Sequence, residues 1–191
     1  MTKTILSALA LAVAISFASC SNKKACNNKQ DAAATQANDT ANVASNNQEQ
    51  ADGSTKYTDF ALPTLDGKRV LLSDVVAKNK ITMVDFWASW CGPCRMEMPN
   101  VVKAYKDFHD KGLEIVGVSL DERKEDWAEA VKEMGMTWIQ ASDLKGWKSE
   151  AARLYKVEGI PACVLINQKG EIVGADLRAE ELHARLAELL K

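Results

Sequence analysis

Two cysteines, Cys91 and Cys94, flank the dipeptide Gly92-Pro93. Two thiols at this spacing can cycle between dithiol and disulfide, exchanging two electrons and two protons with a second sulfur pair. The pair follows a near-continuous apolar run, Ile81–Trp87, and opens a stretch of helical character. A cysteine at the start of a helix meets unpaired backbone N–H groups and the positive end of the helix dipole, both of which favour its thiolate. The thiolate is the attacking form in thiol–disulfide exchange. By Cys94 the chain has turned far enough for the second sulfur to reach the first. Cys91 is therefore expected to attack a substrate disulfide, and the deeper, less acidic Cys94 to resolve the mixed disulfide. Gly92 lets a substrate backbone approach, and Pro93 suits the first helical turn, where a missing N–H costs little.

Other uses of Cys-x-x-Cys fit less well. Structural zinc takes four ligands, commonly from a second spaced pair. The remaining candidates, Cys20, Cys26, Cys163, His109 and His183, form no such pair, so no metal is expected. Covalent haem attachment needs His directly after the second cysteine, and Arg95 stands there. A purely structural disulfide remains the bland reading, disfavoured by the Gly-Pro insert and the two neighbouring tryptophans, Trp87 and Trp90. Cys163 reads either as a buried core thiol or as a third redox thiol. His109 and His183 lack partners at ligand spacing.

The elements that must position the pair follow from periodicity. Asp59–Leu72 reads as a hairpin turning at Leu65-Asp66-Gly67, and Ser73-Asp74 as the start of a short helical turn through Lys78. Ile81–Trp87 reads as a strand buried on both faces. A helix is expected over Cys94–Asp110, interrupted by Pro99 and ended by Gly112, then a strand at Leu113–Leu120. An amphipathic helix over Arg123–Met134 presents Trp127, Val131 and Met134. Thr137–Gln140 reads as a short strand and Ser149–Tyr155 as a short helix. Cys163–Asn167 and Glu171–Ala175 form a hairpin around Gln168-Lys169-Gly170, and Arg178–Leu190 is a closing helix. Strands alternating with helices predict an α/β three-layer sandwich with a mixed sheet.

Composition sets the bounds. The 191 residues are 47% hydrophobic and 26% charged, with a net charge of −2. That is one domain of ordinary soluble composition plus extra segments, with no basic field to hold nucleic acid. Collagenous, wholly disordered and polytopic membrane classes are excluded.

The segment Val84–Arg95, ending Trp-Cys-Gly-Pro-Cys-Arg, resembles the thioredoxin active-site segment. Cys94-Arg-Met-Glu-Met-Pro99 narrows the likeness to the TlpA/ResA-like branch of exported, membrane-tethered thiol–disulfide oxidoreductases. Phe60–Lys68 is similar to the N-terminal hairpin of that branch and of peroxiredoxins, and Tyr155–Pro161 with Val164–Gly170 matches its later half. The resemblance spans residues 57–191. It implies a thioredoxin-like fold with an N-terminal β-hairpin extension, no cofactor beyond a redox-active Cys91–Cys94 disulfide, and a cis peptide before Pro161 beside the cysteines. It further implies that the Ile160 backbone pairs with an extended substrate. Asp85 matches the family's buried acid, whose pKa burial should raise and which would exchange a proton with Cys94. Trp90 is expected to pack over the site, with Trp87 in the core. The resemblance places a further acid at Glu122, with Asp121 a close rival. Where the family often has Thr after the cis proline, Ala162 stands here, which puts substrate preference in doubt.

The N-terminus reads as an address. Lys3, the apolar run Ile5–Phe17 and Ala18-Ser19-Cys20 resemble a bacterial lipoprotein signal over residues 1–19, with Cys20 lipidated; ordinary secretion with cleavage after Ala18 is the alternative. Residues 20–55 are polar and lack aromatics, a tether spanning about 30–35 Å if unfolded, and 56–191 form the thioredoxin-like domain. The combined expectation is a protein disulfide reductase, lipid-anchored in the cell envelope and facing the periplasm. It would reduce disulfides of exported proteins, apocytochrome c among the compatible clients, with electrons from a membrane thiol donor. A peroxiredoxin-type thiol peroxidase and a non-enzymatic binding module are the alternatives.

Overall fold

A strand whose seven side chains are all buried, β3 (Ile81–Trp87), stands at the centre of the fold. The structure is a computed structural model and describes residues 55–191; the signal-like segment, Cys20, Cys26 and the polar stretch up to residue 54 lie outside them. On one side β3 pairs in parallel with β4 (Leu113–Ser119), and β4 with β5 (Ile139–Ala141). On the other it pairs antiparallel with β6 (Ala162–Asn167), and β6 with β7 (Ile172–Ala175). The order β5-β4-β3-β6-β7 is a five-stranded mixed sheet, as the alternation of elements predicts.

The first connection, α2 (Gly92–Phe108), and the second, α3 (Lys124–Glu133), both carry the chain the same way across the sheet. Right-handed crossovers therefore place both on one face, where Arg95 and Glu133 meet at 2.8 Å. The closing helix α5 (Ala179–Leu189) packs beside α2. On the opposite face Phe86 meets Tyr155, at the end of α4 (Glu150–Leu154), and Tyr155 meets Phe60. Alternation along β3 thus sends Phe86 to one face and Asp85 and Trp87 to the α2 face.

The hairpin of β1 (Ala61–Pro63) and β2 (Arg69–Leu71) forms its own two-stranded sheet. It covers the β5 edge through a Thr64–Ala141 bridge and the Ser142 amide donating to the Pro63 carbonyl at 2.9 Å. An edge covered this way cannot pair with another chain. The short helix α1 is Leu72–Val76, earlier than expected. Ser73 lies inside it because the Ser73 amide is satisfied by the Asp59 carboxylate, 2.9 Å away and fourteen residues upstream. Helix α2 runs through Pro99 and gives way to a 3-10 turn, His109–Lys111, before Gly112 closes it at φ +108°.

Candidate active site

The loop between β3 and α2 is held from beneath. Asp121, buried just after β4, accepts from the Ser89 amide at 3.1 and 3.2 Å, from the Ser89 hydroxyl at 2.6 Å and from the Ser119 hydroxyl at 2.7 Å. The carboxylate ties β4 to the turn that delivers Cys91. Cys91 is the N-cap residue of α2, and its sulfur accepts from the Cys94 amide at 3.1 Å. Pro93 offers no N–H, so the first turn directs the Cys94 amide at that sulfur. The two cysteines are joined, with an S–S distance of 2.07 Å and a Cα–Cα distance of 5.2 Å. The Cys91 sulfur also lies 3.7 Å from the Ile160 carbonyl oxygen, next to a cis Ile160–Pro161 peptide.

The two sulfurs have different surroundings. Cys91 faces backbone amides, and the first turn of α2 carries no acidic residue. Cys94 faces inward onto a cavity of about 10 Å³ shared with Asp85, Glu97 and Pro161, room for one water. Burial pushes the Asp85 carboxyl up to about 7; Arg178 opposes the rise and Glu97 adds to it. Asp85 Oδ2 has no hydrogen-bond partner, so a proton there is not committed elsewhere.

Of the residues singled out in the sequence, Cys91, Cys94, Asp85 and Pro161 are brought together, with Ile160 against the Cys91 sulfur. Gly92 and Pro93 are exposed at the helix start. Glu122 is exposed and lies against Gly146, next to the rim residue Trp147, and does not line the Cys94 cavity. Asp121 turns inward to Ser89, so the next side chain along points outward. The second acid at the cavity, beside Asp85, is Glu97, one helical turn beyond Cys94, which the sequence reading missed although the spacing of three residues is a helical-face signal. Glu97 is anchored by the Ala179 amide at 2.7 Å and the Asn100 side-chain amide at 3.0 Å. Cys163 is a buried free thiol whose pKa burial and Asp85 push up to about 11, the core reading. His109 bonds the Leu113 carbonyl region at 3.0 Å and His183 meets Asp107 at 2.9 Å. Among the described residues no cluster could hold a metal ion.

The rim is aromatic. Trp90 and Trp147 are 55% and 48% exposed, with ring centroids 6.3 Å apart, and Met96 is 75% exposed on α2. Trp147 stands on a 3-10 turn, Gly146–Lys148, that periodicity does not reveal. Beside the proline loop opens a cleft of about 620 Å³ lined by Phe86, Tyr155, Ile160, Pro161, Asp176 and Arg178 among others.

The AhpC/TSA family model matches residues 54–175. The chain belongs to the AhpC/TSA family. It is 31% identical over 132 residues to the thiol-disulfide oxidoreductase ResA of Bacillus thuringiensis subsp. konkukian, covering 69% of this chain and 73% of that protein. The thioredoxin domain of a thiol-disulfide oxidoreductase from Bacteroides vulgatus superposes with a TM-score of 0.67 at 33% identity, covering 72% of this chain and 97% of that one. A thiol-disulfide oxidoreductase from Bacteroides fragilis does so with 0.67 at 31% identity, covering 71% and 100%. This AhpC/TSA-family chain is a thioredoxin-fold thiol–disulfide oxidoreductase whose redox group is its own cysteine pair.

The buried acid makes stability depend on pH. In the folded state Asp85 binds its proton up to about pH 7, against an ordinary 3.8. Between those values the folded state holds a proton that the unfolded state has lost, so stability falls as pH rises, and the contribution of the protonated Asp85 is fully lost above the folded value. At about 1.4 kcal/mol per unit this amounts to roughly 4 kcal/mol. Asp85→Asn is expected to be more stable than wild type at pH 8 by up to that amount and indistinguishable at pH 4, read by urea unfolding. A wild-type stability that tracks Asp85→Asn across this range contradicts the assignment.

Proposed function

We propose that the chain is a protein disulfide reductase of the cell envelope, in which Cys91 attacks, Cys94 resolves and Asp85 moves the proton between. The unequal setting of the two sulfurs carries the reading: Cys91 at the amide end of α2, Cys94 buried against two carboxyl groups. The Cys91 thiolate attacks one sulfur of a substrate disulfide and expels the other as a thiolate, which takes a proton from solvent. Asp85, as carboxylate, accepts the Cys94 proton, directly or across the cavity. The Cys94 thiolate then attacks the Cys91 sulfur, closing the enzyme disulfide and releasing the second substrate thiolate. Two electrons pass to the substrate. A membrane thiol donor would restore the dithiol by the reverse exchange.

Substrate is proposed to lie against Ile160 and Pro161, with Gly92 and Pro93 beneath it. A new S–S bond holds the substrate backbone within about 4.4–6.8 Å of Cys91, Cα to Cα. Residues beside the substrate cysteine therefore land on Trp90, and Trp147 extends that surface. The proposed clients are disulfides of exported proteins, apocytochrome c being one compatible class, and no nucleic acid is involved. The lipoprotein-like start supports a lipid anchor at Cys20 and a periplasm-facing site on the 20–55 tether. Among the described residues no helix is long and apolar enough to cross a membrane.

The full-length Cys94→Ser protein, expressed in envelope-competent cells, is expected to accumulate mixed disulfides at Cys91, and adding Trp147→Ala to lower their yield several-fold for polypeptides but not for a small disulfide. No trapped species, or trapping that survives Cys91→Ser, contradicts the reading. For direction, titration against glutathione should give a midpoint nearer about −270 mV than about −120 mV; a midpoint above about −180 mV reverses it.

A further inference from the structure

Three consecutive residues at the β7–α5 junction touch three different parts of the redox centre. The Leu177 carbonyl accepts from the Cys163 thiol at 3.4 Å. Arg178 donates through Nη1 to the Cys163 sulfur at 3.3 Å and to the Leu177 carbonyl at 2.8 Å, and through Nη2 to the Pro161 carbonyl. The Ala179 amide donates to Glu97 at 2.7 Å. Ala179 does so from φ +45°, a left-handed conformation costly for alanine,. Neither the disulfide nor the helix start calls for this convergence.

We propose that residues 177–179 clamp the redox centre, with Arg178 as a positioning residue that fixes the proline loop and holds its guanidinium on the Cys163 sulfur, at the register position facing Asp85. The clamp rests on the reading of Asp85 given above. Two consequences follow from its geometry. With the Pro161 carbonyl drawn inward by the guanidinium, and with no N–H on proline, the backbone edge left to meet a substrate at this loop is that of Ile160. The carbonyl of that residue is the one 3.7 Å from the Cys91 sulfur. The second consequence is electrostatic. The groups facing Asp85 are Cys94 and Glu97 from α2, Cys163 from its register position on β6, and Arg178 from the junction. On β4 its register partner is Gly117, which has no charge to offer. Arg178 is the member of this set that favours the carboxylate. It keeps the acid able to give up its proton near neutral pH, where Cys94 must lose one.

The test is single-turnover reaction of the reduced full-length protein with 5,5′-dithiobis(2-nitrobenzoate). The first thionitrobenzoate reports attack by Cys91 and the second reports resolution by Cys94. Arg178→Gln is expected to raise the pH midpoint of the second phase by about one unit or more, and the shift should vanish in an Asp85→Asn background. Arg178→Lys keeps the charge and loses the planar fork. Its midpoint should move by less than half as much, while KM for a peptide disulfide rises several-fold as the proline loop loosens. Each variant tests the clamp if the other fails to fold. A wild-type midpoint in Arg178→Gln, an equal shift with and without Asp85, or Arg178→Lys behaving as wild type in both readouts overturns the proposal. If Asp85→Asn alone leaves the second phase unchanged, the Asp85 reading fails, and the clamp's electrostatic role fails with it. That result is distinguishable because it appears with Arg178 intact.

Discussion

The hydrogen bond from the Cys94 amide to the Cys91 sulfur, at 3.1 Å, is the contact on which the rest depends. It exists because α2 starts at Gly92, one residue after the sulfur, and because proline at the next position removes a competing donor. A sulfur that becomes negative on reduction needs donors already in place, since amides fixed by a helix cost no reorganisation when charge develops. The remainder of the site secures that start. A fully buried strand fixes the level at which the chain leaves the sheet, and Asp121 holds the turn through three donors on Ser89 and Ser119.

The second requirement is that the two sulfurs differ. Backbone amides at the start of α2 serve one, while carboxyl groups in the core face the other. Burial penalises charge on Asp85,. A site in which both thiols ionised equally would not order attack before resolution. The protein accepts a stability cost at neutral pH for holding an acid in its core, a common arrangement at catalytic centres.

Much of this was legible in the sequence, for identifiable reasons. The strand Ile81–Trp87 has its predicted bounds because a near-continuous apolar run of this length is buried on both faces,. Cys91 and Cys94 were found by spacing, and Asp85 and Pro161 by resemblance. Glu97 was missed because its role depends on α5, more than eighty residues away, which presents the Ala179 amide to it. Between Glu122 and its close rival Asp121 the sequence offers little to choose; the fold turns Asp121 inward to Ser89 and Ser119 and leaves Glu122 exposed. Trp147 belongs to a 3-10 turn too short for any periodicity. Arg178 lies outside every motif, and only the packing of α5 beside α2 brings it to the proline loop.

The most direct measurement is the rate at which iodoacetamide alkylates Cys91 in the reduced full-length protein, followed across pH with Cys94 replaced by serine. The account predicts labelling at neutral pH well above that of an unstructured peptide thiol, persisting to lower pH than the peptide's. Labelling no faster than the peptide's, with the same pH dependence, would contradict it.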